Sequence, residues 1–125
     1  MRKQAMELLA IAKTLTAIPM SKGEPDTQTV RWAKQNLMLT LRVDSSWKQI
    51  YDLFMTIQEG TSNKFHYFGV WRSKTGECVG GNAYGPIGYN PRAIEVARGR
   101  EGSVMSAVRD KVSIKRRKGY ETQEV

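Results

Sequence analysis

The chain has 125 residues, 40% of them hydrophobic, which predicts a single domain with one modest core and at most a small appendage. Twenty Lys and Arg against twelve Asp and Glu leave a net charge of +8, which points to a polyanionic partner, nucleic acid ahead of an anionic membrane surface. The single cysteine, Cys78, excludes an intrachain disulfide and fits a reducing compartment, cytoplasmic, nucleoid or nuclear, and no apolar run reaches the roughly 18 residues of a membrane span.

Residues 2–17 predict a helix, with Ala5, Leu8, Leu9, Ala12 and Leu15 at helical spacing. It would pack on the body, on a second copy or on another protein. Glu7 and Lys13 break its apolar stretch and argue against a secretory signal. Its amphipathic, basic character leaves organelle targeting open. Residues 1–18 therefore form an N-terminal amphipathic helix. Residues 19–28, with two prolines and a glycine, form a linker, and residues 29–125 form the domain proper.

Thr29–Lys34 is open between helix and strand. In Asn36–Val43, Leu37, Leu39, Leu41 and Val43 alternate with Met38, Thr40 and Arg42, which predicts a strand. Asp44-Ser45-Ser46 offers an N-cap for a helix over 46–59, whose stripe is Ile50, Leu53, Phe54 and Ile57, with Trp47 in the first turn and Gly60 at the end. Thr61–Asn63 is a loop. Phe65–Arg72 is an aromatic strand, Ser73–Gly76 a hairpin turn, and Glu77–Val79 the start of the return strand. Gly80–Gly88 holds four glycines and a proline in nine residues, which predicts a tight bend carrying Tyr84. Pro91–Ala97 is a further strand. Glu101–Lys118 is a helix capped by Ser103, with the stripe Val104, Met105, Val108 and Val112 and a stop at Gly119, and the last five residues fray. The resulting fold class is α+β: a small antiparallel sheet with a C-terminal basic helix, an inserted helix at 46–59, and an N-terminal helix on a linker.

Residues 61–125 carry twelve basic and six acidic groups, so the positive surface belongs to the second half. Catalysis finds little support there. His66 and Cys78 are the only histidine and cysteine, twelve residues apart, too few for a zinc site and without the context of a Cys–His nucleophile. The glycines match no phosphate-binding motif. A non-enzyme without metal or cofactor is expected. Binding is easier to build: Arg72, Lys74, Arg92, Arg98, Arg100, Arg109, Lys115, Arg116, Arg117 and Lys118 supply charge for phosphates, and Tyr84 supplies a ring for stacking, with Tyr89 and Trp71 as alternatives.

The order of features resembles the WGR domain family, over roughly residues 36–121. The matching features are Leu37–Asp44 as first strand and Asn63-Lys64-Phe65 opening an aromatic strand. Tyr84-Gly85-Pro86-Ile87-Gly88 stands in the place of the signature strand, Ala93–Ala97 follows it, and Arg117-Lys118-Gly119-Tyr120 closes the helix. The resemblance implies a small antiparallel sheet with a C-terminal helix that contacts DNA through its signature Trp and Arg, notably the backbone at strand breaks in poly(ADP-ribose) polymerases. Here Tyr84 replaces that Trp and Pro86 replaces that Arg, which removes one ionic contact to phosphate. The expected function is a nucleic-acid-binding module, DNA ahead of RNA. The alternative is a protein-interaction or assembly subunit, such as a phage or mobile-element accessory protein, docking or self-associating through residues 2–17.

Overall fold

Seven consecutive residues, Phe65 to Trp71, are buried, and a strand buried on both sides must lie between two layers. The computed structural model, which describes residues 27–124, has that arrangement. Its elements are α1 (Thr27–Leu41), β1 (Lys48–Glu59), β2 (Ser62–Arg72), β3 (Cys78–Pro86), β4 (Arg92–Gly99), α2 (Glu101–Arg117) and β5 (Glu121–Gln123). The strands form one antiparallel sheet in the order β4–β3–β2–β1–β5. Phe54, Phe65, Tyr67, Trp71, Val79 and Ala83 pack with Ala33, Leu37 and Leu41 of α1 on one face. Met55, Phe68, Val70 and Cys78 pack with Val104, Val108 and Val112 of α2 on the other. The fold is α+β, as the sequence predicts. The helix expected over 2–17 and residues 19–26 of the expected linker lie outside the described residues.

Several expected elements change type. Asn36–Val43 is no strand: α1 runs to Leu41 and also takes in Thr27 and Gln28 of the expected linker and the open stretch Thr29–Lys34. Thr29, Ala33, Leu37 and Leu41 are buried at intervals of four, while Leu39 is 78% exposed. The alternating leucines hid a helical stripe, written in good helix formers. The helix ends with Arg42 at φ +59°, Arg42 N donating to Leu39 O (3.2 Å) and Val43 N to Met38 O (2.9 Å). This is the double-bonded C-terminal motif that usually carries glycine.

Nor is 46–59 a helix. Asp44 Oδ1 accepts from Ser46 N (2.8 Å) in a local turn that feeds β1. A β-bulge between Gln49 and Tyr51 slips the alternation by one residue, and so mimics helical spacing at Ile50, Leu53, Phe54 and Ile57. Beyond the bulge, Phe54 faces α1 and Met55 faces α2. The turn to β2 is at Gly60-Thr61; Ser62 and Asn63, expected in a loop, already pair with β1. The expected Phe65–Arg72 strand and the Ser73–Gly76 hairpin are both present, the latter closed by Gly76 N donating to Ser73 O (3.0 Å).

The largest correction concerns the glycines. Gly80 to Pro86 is not a bend but the interior and end of β3, paired with β2 throughout and with β4 as far as Tyr84, and the chain turns only at Ile87–Tyr89. A Cβ on Gly80 would stand 2.7 Å from Val108 Cγ2 and 3.0 Å from Val104 Cγ1; one on Gly81 would stand 2.6 Å from Ile94 O and 2.6 Å from Leu37 Cδ1. Gly80 thus admits α2 and Gly81 admits α1, so both helices approach one strand closely.

Ser103 does not cap α2; the N-cap is Arg100, with no side-chain cap bond. The other end is closed by Gly119 N to Arg116 O (3.0 Å) and Tyr120 N to Lys115 O (3.1 Å), with Gly119 at φ +105°. Of the last five residues, expected to fray, three form a strand. Glu121–Gln123 pairs with Thr56–Phe54, and Gln123 Nε2 donates to Thr56 Oγ1 (2.9 Å).

Candidate nucleic-acid interface

Val104, Val108 and Val112 point α2 at the sheet. At about 100° per residue, Lys111, Lys115 and Lys118 fall along one flank of the helix, and Arg109 and Arg116 along the other. Contacts bear this out. Lys115 and Lys118 act electrostatically on His66 of β2, whereas Arg109 and Arg116 act on Tyr51 of β1. Arg116 Nη2 also donates to Thr122 Oγ1 of β5 (3.1 Å). Burial and the positive charges of Lys118 and Lys111 hold the Lys115 ammonium below its ordinary pKa. None of these three lysines is ion-paired among the described residues.

Beneath this lysine flank lies an aromatic column. His66 stacks between Phe68 (ring centroids 5.9 Å apart, planes at 16°) and Tyr84 (5.3 Å, 16°), with the Tyr120 ring edge-on at 4.9 Å. His66 Nδ1 bonds Asn82 Oδ1 at 3.1 Å, and both residues are buried. Burial, with Lys115 and Lys118 nearby, pushes the His66 pKa down to about 4, against the Asn82 bond, so the ring is neutral near pH 7. Tyr84 ends the column, half-buried, and Arg92 stands opposite it on β4, exposed on the same face.

The residues expected to bind thus divide. Tyr84, Arg92, Lys115 and Lys118 come together at one end of the α2 face. Arg109 and Arg116 lie on the far flank of α2, and Arg117 is exposed with its helical position turned away from the sheet. Arg72, Lys74 and Arg100 sit at the opposite end, six strand residues from His66, or roughly 20 Å. There Arg72 Nη1 bonds Glu101 Oε1 at 3.0 Å. Arg98 is on the other face: its Nη2 donates to Leu41 O (3.0 Å) and Glu95 Oε1 (3.0 Å), which makes it a cap for α1. Of the alternative stacking residues, Trp71 is buried in the α1 core, while Tyr89 is 51% exposed in the β3–β4 turn. Lys111 was not expected as a site residue and Tyr120 was overlooked. The i, i+4, i+7 spacing from Lys111 to Lys118 was the available signal for the first.

Arg72 pairs with Cys78 in register, so the same interval separates Cys78 from His66, and they form no nucleophile–base pair. Burial pushes the Cys78 thiol up. Among the described residues no group of three or more His, Cys, Asp or Glu stands together, and no helix is long and apolar enough to cross a membrane. Comparison with family models, with curated protein sequences and with solved structures returns no match for this chain.

Proposed function

We propose that this protein is a non-enzymatic, WGR-like nucleic-acid-binding module, favouring DNA, that holds the phosphate backbone through Arg92, Lys111, Lys115 and Lys118 and lays a sugar or base against Tyr84. The observation that carries the reading is the lysine flank itself. Three ammonium groups crowd one helix edge without a carboxylate partner among the described residues, beside a half-buried ring at the end of the aromatic column. Such uncompensated charge costs stability in the free protein and is relieved by an anion. Of the features behind the family likeness, Leu37–Asp44 does not supply a first strand, because Leu37–Leu41 lies in α1; the aromatic β2, the strand reaching Tyr84-Gly85-Pro86, β4 and the Gly119-Tyr120 end of α2 remain.

The test is a salt titration of binding to single-stranded, blunt, nicked and RNA ligands. Affinity is expected to fall steeply with salt, and Lys115→Glu with Lys118→Glu to flatten the log–log slope by about 2. No complex with any ligand at low salt overturns the reading. An assembly role through residues 2–17 concerns a segment outside the described residues.

A further inference from the structure

β1 is twelve residues long, but β5 covers only Phe54–Thr56 of its outer edge. Lys48–Leu53 pair inward with β2 and have no outward backbone partner among the described residues. The adjoining surface is built unlike an ordinary protected edge. α2 packs over β2, β3 and β4 and leaves β1 beyond its flank. On that side Ile50, Tyr51 and Leu53 extend the α2 core outward as a half-buried apolar shelf. Met105, Arg109 and Arg116 form the wall above it, and the two guanidinium groups act on the Tyr51 hydroxyl. Two acidic groups at its margin are already engaged: Glu101, which lines a cavity with Met105, Arg109 and Asp110, is held by Arg72, and Asp52, whose charge also reaches Tyr51, accepts from Tyr67 Oη (3.1 Å), a side chain of the opposite face.

We propose that this groove takes an extended acidic segment of a partner polypeptide, which adds to Lys48–Leu53 as an antiparallel strand in line with β5. The three parts match three parts of such a ligand. The open edge offers backbone hydrogen bonds, and of the alternate side chains that such a strand turns to the α2 face, apolar ones rest on the shelf and carboxylates meet the arginines and Lys48. β5 sets the direction: Glu121 stands opposite Thr56 and Gln123 opposite Phe54, pairing stops before Glu124, and a strand added along Lys48–Leu53 runs in the same antiparallel sense. Residues 1–26 of the chain carry four basic and three acidic groups, which does not complement the wall. The groove is on the opposite flank of α2 from Lys111, Lys115 and Lys118, so this inference stands apart from the nucleic-acid reading.

The experiment titrates the full, isotope-labelled chain with two synthetic octapeptides, Thr-Glu-Thr-Val-Thr-Glu-Thr-Val and the same sequence with Lys in place of Glu, so that the charged and apolar side chains share one face of the added strand, and follows backbone amides by NMR. The Glu peptide is expected to shift Lys48–Leu53 saturably and to bind about ten-fold more tightly than its Lys counterpart. Arg109→Glu with Arg116→Glu, both exposed, is expected to reverse that order while leaving the melting temperature within a few degrees. Absence of saturable shifts at Lys48–Leu53, or equal affinity for both peptides, overturns the proposal. So does amide protection at Lys48–Leu53 in the free chain that is lost on deleting residues 1–26, or that rises with protein concentration. The first assigns the edge to the chain's own N-terminal segment and the second to another copy.

Discussion

The two faces of the sheet are built to opposite specifications. The α1 face is aromatic and its polar groups are matched: Arg98 closes the helix C-terminus and bonds Glu95, and Tyr67 Oη accepts from Gln49 and donates to Asp52. The α2 face is lined with valines, and the lysines at its edge have no ion-pair partner among the described residues. A matched face needs nothing further from solution. An unmatched one is stable only at a cost, and such surfaces are where binding resides.

The comparison is broken most severely at the two adjacent glycines. Gly81→Ala drives a Cβ against the Ile94 carbonyl, a backbone atom, as well as Leu37, while Gly80→Ala meets side-chain methyls, those of Val108, Val104 and Val70. We expect Gly81→Ala to destabilise by about 3 kcal/mol and Gly80→Ala by about 1–2 kcal/mol in urea unfolding. Equal losses would mean that the α1 side is no more rigid than the α2 side.

Next come the titrations, which distinguish the faces by sign. His66 on the α2 face has its pKa lowered from 6.5 to about 4. The folded state therefore binds fewer protons than the unfolded chain in that window. The stability His66 contributes is complete above pH 6.5 and lost as pH falls toward 4, with a slope approaching about 1.4 kcal/mol per pH unit. Tyr67 on the α1 face has its pKa raised by burial, so its contribution is complete below pH 10 and lost as pH rises further. His66→Gln should flatten the acid limb of stability against pH, and Tyr67→Phe the alkaline limb. A wild-type acid limb unchanged in His66→Gln would exclude the buried neutral histidine.

The smallest expected effect contrasts the helix ends. Gly119 closes α2 at φ +105°, but Arg42 closes α1 at φ +59°, where a side chain is strained. Arg42→Gly should stabilise by roughly 0.5–1 kcal/mol, read from the urea midpoint, and a loss would show that the exposed Arg42 side chain makes a contact worth more than the strain.

Local chemistry alone determined α2, with its valine stripe, its cationic last turns and its Gly119 stop, and it determined β2 and the Ser73–Gly76 hairpin. The basic character of the second half was equally plain from composition. Tertiary structure decided the rest. The leucines of α1 satisfy both a period of two and a period of four, and only the need to cover the aromatic face selects the helix. The Gln49/Tyr51 bulge erases the alternation of β1, and glycines that look like a turn become strand once two helices press on them. The residues expected to bind show the same limit. Arg98 and Lys115 are equivalent as charges in a sequence, and only packing gives one a carbonyl and a carboxylate while leaving the other beside like charge, because pairing depends on which face of the sheet each reaches.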